Sequence, residues 1–457
     1  MKLSDTIQKL QRSIIGRHNG IIEKIEIIKP YAGSWPFYYG YASLCDVGML
    51  NQVSAFRPPA AGIGLSQDEA MISILGEAVE RYCAAFQQKD SMISGSVNSL
   101  SKNYRLLSSK DLSCYSTEQH QQQGFPYQKQ LDSDIIEWQI LSNFAGKKIL
   151  VPAAYVYLPF QSKTNSLLPS NSTGLACGPS YDDAVLSALF EVVERDAYSL
   201  CWLFSGTPAK LCLDRQTHLI NQIPCYFHKE WQVDFYDLTA RENIPVILCV
   251  LRAPRSYAKI SRQQSKKGEY MSSHWYCHGV AAHSNPETAL VKSFHEAMLG
   301  YYFIESQWQK FMSSESTTNS KSDSIDPTTF FEHSGFYNHY PHHLKYCEFI
   351  DAGDTVDWGQ SKGSSHVLAP GLNSMKQHLH QHNITAAHLN LSTPDMDNSG
   401  MHVARVILKG FNYLQGDNRM PTLGTERALN PHQYYDFIAP FSSDDHGRRN
   451  NWPHSLG

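Results

Sequence analysis

Two stretches of this chain carry the same acidic, basic and hydroxyl residues at the same spacing. GLSQDEAMISILGEAVER (Gly64–Arg81) returns without a gap as GPSYDDAVLSALFEVVER (Gly178–Arg195). Ser73, Glu77, Glu80 and Arg81 thereby fall on Ser187, Glu191, Glu194 and Arg195. A fainter third copy, PETALVKSFHEA (Pro286–Ala297), sets Ala289 in place of Ala70 and Glu296 in place of Glu77. One Glu–Arg pair is an ordinary solvated feature of a helix surface. Two in register, with the apolar residues around them drifting, mark a repeated site. Four carboxylates on paired helices suit a hard cation, and magnesium in particular is held by a few carboxylates plus substrate phosphates. The chemistry these residues predict is a magnesium–nucleotide site.

Both copies read as helices. Ser66 and Ser180 stand where an N-cap belongs, and an acidic residue follows three positions later at Glu69 and Asp183. Ala70, Ile74, Leu75 and Ala78 form an apolar stripe, matched by Ala184, Ala188, Leu189 and Val192. Positions i, i+4 and i+7 share a face, so Ser73, Glu77 and Glu80 align, as do Ser187, Glu191 and Glu194. The second copy runs on into AYSLCWLF, which is apolar nearly all round. Carboxylates in such surroundings need hydrogen-bonded partners or a cation, because an isolated ionised group is too costly to desolvate.

In this order, GLSQDEAMISILGEAVERY, STGLACGPSYDDAVLSALFEVVERDA and PETALVKSFHEA resemble the YcaO family. VPAAYVYLP, PVILCVL and HVARVILKGFNYLQG fit it as well, so the resemblance runs from residue 60 or so almost to the end. It implies a mixed α/β fold of the YcaO type, with repeated helix motifs packed on β-sheets. It further implies an ATP-dependent cyclodehydratase that converts Cys, Ser or Thr of a ribosomally made precursor peptide into thiazoline or oxazoline. Other members form thioamides or amidines, and a non-catalytic, nucleotide-binding scaffold subunit is a third reading. Retention of all four glutamates and both arginines speaks against a decayed site. No GxxxxGK[ST] and no GxGxxG occurs, so a nucleotide needs a cradle other than a P-loop or a Rossmann turn.

By the resemblance, Glu77, Glu80, Glu191 and Glu194 hold Mg2+ against the triphosphate of ATP. Ser73, Ser187, Arg81 and Arg195 serve the nucleotide and its phosphates, Arg195 as part of the catalytic set. Asp183 takes the place of a metal-site acid, and the turn from Asn171 to Gly174 approaches the nucleotide. Lys292 and Glu296 stand where the family has RxxxE, so the charge is kept but the bidentate fork is lost. Two further departures are Gly62-Ile63-Gly64 in place of GKG, and NNWPHSLG in place of a PxPxP ending. The implied partners are a precursor peptide with a leader and a separate leader-binding subunit related to ubiquitin-activating enzymes. A flavin dehydrogenase to aromatise the rings is a further partner, around a homodimer within a hetero-oligomer.

The rest of the chain agrees with an intracellular enzyme. At 457 residues it can bury a sizeable core, expected as an N-terminal lobe over 1–60 and a catalytic domain over 61–457. With 39 basic and 43 acidic residues, the formal charge of −4 gives no reason to propose nucleic acid or an acidic membrane as partner. The 10 cysteines include no CxxC pair, which predicts reduced cytoplasmic thiols. MKLSDTIQKLQRS lacks an apolar signal core, and no apolar run of about 18 residues occurs. Strands are expected in Lys147–Leu158, Ile244–Ala253, His274–His283, Ile384–Thr393 and His402–Gly410. The polar segment 313–326 is expected as a surface loop. His339, His342, His343 with Cys347, and His378, His380, His382, match no zinc ligand pattern.

Overall fold

The computed structural model describes residues 3–16, 20–30, 35–51, 55–160, 167–169, 171–213, 218–223, 230–254, 274–314, 326–397, 399–440 and 449–456. These form two compact units. The first comprises Met1–Val193, Ala369–Tyr413 and Thr422–Leu429; the second comprises Glu194–Leu368, Leu414–Pro421 and Asn430–Gly457.

The first unit holds two sheets. Strands β1 (Ile22–Ile28), β2 (Tyr38–Leu44) and β3 (Pro59–Gly64) form an antiparallel meander. The larger sheet contains β4 (Met92–Gly95), β5 (Arg105–Leu106), β6 (Ile136–Ser142), β7 (Lys148–Pro152) and β8 (Leu175–Gly178). To these the late part of the chain adds β14 (Ala386–Asn390) and β15 (His402–Leu408). The order is β5-β7-β6-β14-β15-β8, with β4 also paired to β6. β15 reads HVARVIL and is buried at all but its first position, as befits a strand covered on both faces. The expected strand over Lys147–Leu158 is cut short, because after Pro152 the chain turns into a 3-10 helix, Ala153–Tyr155.

The first repeat helix, Gln67–Ala85, begins at a full capping box. The Ser66 side chain accepts from the Glu69 N–H while the Glu69 carboxylate accepts from the Ser66 N–H. Such a cap stabilises by about 1 kcal/mol. Ala70, Ile74, Leu75 and Ala78, the expected stripe, are fully buried and pack the helix on β3. The second repeat helix, Tyr181–Leu203, has half of that cap, with the Asp183 N–H donating to Ser180 Oγ at 3.2 Å.

The second unit is built on an antiparallel ladder of β9 (Ala209–Cys212), β10 (Gln232–Asp237), β11 (Val246–Pro254) and β12 (His274–Ala282). A parallel edge strand, β13 (Thr355–Asp357), joins it. The third helix, Pro286–Ser314, lies on β11 and β12. Its close approach requires Gly279, where a Cβ would stand 2.2 Å from both Ser293 O and Ala297 N. The expected loop at 313–326 lies for the most part outside the described residues. His378 and His380 fall on a helix, Leu372–Gln381. No helix among the described residues is long and apolar enough to cross a membrane.

Candidate functional site

The repeat puts matched side chains to matched use in the first unit. Glu77 sits nearly three turns into its helix, and its Oε2 accepts from the Ala61 N–H of β3 at 2.8 Å. Glu191, its counterpart, accepts at Oε2 from the Gly174 N–H, just ahead of β8, at 3.0 Å. Each glutamate therefore reaches back to the backbone leading into its own helix. Gly174 has φ +83, and a Cβ there would stand 2.2 Å from Val406 O, so only glycine presents that N–H without strain.

Arg81 joins the cluster from the next helical turn. Its Nη2 donates to Glu77 Oε1 at 3.1 Å, and its Nη1 lies 3.4 Å from Glu80 Oε1. Burial works against the Arg81 charge, but Glu80, Glu77 and Glu191 outweigh it and hold the guanidinium firmly protonated. Glu80 is the stressed member. Burial pushes its carboxyl up to about 8, Arg81 pulls the other way, and the charges of Glu191 and Glu77 push it further up. Three carboxylates thus gather around too little positive charge, which is what a divalent cation relieves.

Beneath the cluster lies Arg405 of β15, 1% exposed. Its Nε and Nη2 donate to Tyr155 O, at 2.9 and 2.5 Å, and its Nη1 donates to Asn171 O at 3.2 Å. Burial brings its pKa down to about 10, while the nearby Tyr413, Glu191 and Glu80 draw it up. Arg405 fixes the Asn171–Gly174 turn from below. Asn171 Oδ1 is buried and has no hydrogen-bond partner, which leaves one acceptor there unspent. Sequence reasoning missed Arg405; its signal is a lone arginine inside the otherwise apolar run VARVIL.

The remaining expected residues fall as follows. Ser73 and Ser187 are exposed on their helices, one turn before Glu77 and Glu191. Asp183 is exposed and engaged in the cap, where it accepts from Ser180 Oγ at 2.6 Å. In the second unit, Glu194 Oε2 accepts from the Ala282 N–H at the end of β12, at 3.4 Å, and Glu194 Oε1 lies 3.8 Å from Arg195 Nε. Lys292 and Glu296 are exposed one turn apart on the third helix, and the charge of Lys292 helps burial to lower the pKa of His283. Among the described residues no three His, Cys, Asp or Glu side chains are arranged to hold an ion by themselves. That applies to both histidine groups and to the glutamates. Magnesium needs no such cage, since one or two carboxylates and the phosphate oxygens suffice. The residues present fit that mode of binding.

Residues 61–412 match the model of the YcaO family, described as a cyclodehydratase binding ATP and Mg2+. An uncharacterized protein of Methanothermobacter thermautotrophicus is 27% identical over 283 residues, covering 56% of this chain and 64% of that protein. Among solved structures, a heterocyclase in complex with substrate and cofactor aligns with a TM-score of 0.68 at 19% identity, over 96% of this chain and 57% of that one. YcaO from Methanopyrus kandleri, bound with AMPPCP and Mg2+, aligns with a TM-score of 0.59 at 15% identity, over 97% and 96% of the two chains. At these identities the structural likenesses show the fold. The chain spans just under two thirds of its curated relative and little more than half of the heterocyclase chain.

Proposed function

The chain belongs to the YcaO family, and from that premise we propose that it is the ATP- and Mg2+-dependent cyclodehydratase of a peptide-modifying assembly. The observation that carries this reading is the half-buried cluster of Glu77, Glu80, Arg81 and Glu191, in which Glu77 and Glu191 hold matching positions of the two repeats. An inactive helix pair would have no use for so costly an arrangement.

The reaction must make a poor electrophile and a poor leaving group react. The thiol or hydroxyl of Cys, Ser or Thr adds to the carbonyl carbon of the preceding amide, and the new alkoxide oxygen takes the γ-phosphoryl group of ATP. Phosphate then departs with that oxygen, the amide N–H gives up its proton, and the C=N bond of the azoline forms. ATP becomes ADP and phosphate, and the peptide has lost one water. Phosphoryl transfer of this kind is governed by positioning and charge neutralisation.

In this reading Glu77, Glu80 and Glu191 hold Mg2+, with Glu194 following one turn after Glu191 on the same helix. When bound, the ion neutralises phosphate oxygens. Arg81 offsets part of the carboxylates' negative charge and orients Glu77 and Glu80. Asn171, Gly174, Ser73 and Ser187 line the nucleotide, and Arg195 and Lys292 bring positive charge to the phosphates. Glu296 orients Lys292 from one turn away, and Asp183 holds the start of its helix. The substrate is a precursor peptide with a leader. A separate subunit related to ubiquitin-activating enzymes recognises that leader, and a flavin dehydrogenase acts on the rings afterwards. The chain is proposed to pair with a second copy inside this hetero-oligomer, in the cytoplasm.

Intact mass of the precursor peptide after incubation with the complete assembly and Mg–ATP tests the proposal. Successive losses of one water, each matched by one ATP consumed, support it. An exchange of oxygen for sulfur, or an unchanged mass, sinks it in favour of thioamidation or a scaffold.

A further inference from the structure

A cavity of about 300 Å³ opens in the first unit, and none of the residues lining it lies in Gly64–Arg81 or Gly178–Arg195. Tyr155 forms part of its wall. The Tyr155 hydroxyl donates to Leu112 O at 2.7 Å, on the turn that floors the cavity, while the Tyr155 carbonyl accepts from Arg405 beneath the glutamates. The cavity is thus a neighbour of the glutamate cluster and no part of it. Its volume falls at the small end of the range for ligand pockets.

The floor is pinned from several sides. The Gly424 N–H donates to Cys114 O at 3.0 Å, and Ser113 Oγ donates to Tyr115 O at 2.8 Å. The rings of Phe125 and His120 stand edge-on to Tyr115, at 5.0 and 6.1 Å. Burial pushes the Cys114 thiol up to about 12, so the floor brings no negative charge.

Its polar groups lean toward donation. Gln130 lines the cavity and is 4% exposed. Its Oε1 accepts from the Ser109 N–H at 3.2 Å, but its buried Nε2 has no hydrogen-bond partner among the described residues. A stranded amide donor is costly, and an acceptor entering the cavity relieves it. At the exposed mouth, Lys129 Nζ reaches an uncharged group, Thr117 Oγ1, at 3.3 Å, whereas Lys110 Nζ is paired with Asp132 at 2.6 Å. Glu118, also exposed there, is the one carboxylate among the lining residues, and Leu167 and Leu429 add apolar wall.

We infer that this cavity binds a small zwitterion with an apolar side chain, either a free amino acid or the end of a short peptide. Gln130 Nε2 receives the carboxylate at the floor and Lys129 draws it in through the mouth. Glu118 faces the ammonium, and Leu167 and Leu429 take the side chain. Nothing in this site depends on the nucleotide chemistry proposed above.

Saturation-transfer NMR on the full chain, titrated with leucine, leucinamide, N-acetylleucine and glycyl-leucine, tests the site. Leucine or glycyl-leucine should bind saturably; the tighter of the two tells a free amino acid from a peptide end. Leucinamide, without the carboxylate, should bind at least tenfold more weakly, and N-acetylleucine several-fold more weakly. Gln130→Glu keeps an oxygen for the Ser109 N–H but sets a repelling charge where the donor was, and should weaken leucine at least tenfold. Lys129→Met, at an exposed position, should weaken it several-fold. Absence of saturable binding, equal binding of leucinamide, unchanged affinity in both variants, or displacement of the probe by Mg–ATP overturns the inference. If Gln130→Glu does not fold, the leucinamide comparison and Lys129→Met decide it.

Discussion

Glu191 can lose its charge without losing its hydrogen bond. In Glu191→Gln the amide oxygen still accepts from the Gly174 N–H, but under the proposed function the side chain would no longer help to hold a cation. Ring formation should drop at least a hundredfold, by analogy with the loss of one group that stabilises transition-state charge, while the melting temperature stays within a few degrees. Peptide mass and a circular dichroism melt on the same preparation check this; a large fall in melting temperature would mean the cluster is structural. Arg405→Met should act the opposite way, because it strands the carbonyls of Tyr155 and Asn171. A stability loss of about 3 kcal/mol is expected from hydrogen bonds to a charged donor, measurable by urea unfolding.

The buried imidazoles give the pH dependence at this scale. Burial, with Arg252 behind it, lowers His278 to about 3, and burial lowers His333 to about 4. Both stay neutral in the folded chain while the unfolded chain takes up protons below about 6.5. Their folded pKa values are depressed, so nothing is lost above 6.5. As pH falls from there toward 4, each shifts the equilibrium toward unfolding about tenfold per pH unit. Urea titrations at pH 7, 6 and 5 should show this slope, and His278→Asn should reduce it by one proton.

At the scale of elements, the two glutamate-bearing helices were legible because cap, stripe and charged face all agree with one period. The expected capping box at Ser66 and Glu69 is present, and Ser66→Ala should cost about 1 kcal/mol. Gly174→Ala should cost more, through its positive φ and the nearby Val406 carbonyl, and should also withdraw the N–H that steadies Glu191. A loss in thermal melting no larger than that of Ser66→Ala would contradict this. What the sequence hid is what backbone groups do. The N–H groups of Ala61, Gly174 and Ala282 serve the glutamates through register and turn geometry, and no side-chain pattern announces that. Arg405 was hidden for a related reason: its partners are carbonyls from distant segments. The strands of the meander β1-β2-β3 were not legible, since partly buried positions run along both faces.

At the scale of the whole molecule, neither unit is a continuous piece of chain. The first unit takes its strands β14 and β15 from beyond residue 369, and both lie inside the sheet rather than at its edge. A fragment of residues 1–193 should therefore fail to fold, although it contains Glu77, Glu80, Arg81 and Glu191 together. Adding residues 369–429 as a second chain should recover secondary structure by circular dichroism. A cooperative melt from the first fragment alone would overturn this account of the sheet.

The pairing of Leu175 with Arg405 across β8 and β15 also sets a clock on the protein's birth. At about 5–20 residues per second of synthesis, on the order of ten to fifty seconds pass between the emergence of Glu191 and that of Arg405. During that interval the acidic cluster has no floor and the Asn171–Gly174 turn has no anchor. Under the proposed function, a nascent chain cannot take up nucleotide until most of its length has been made. Competence for ATP arrives late and all at once, when a single strand slides into its slot.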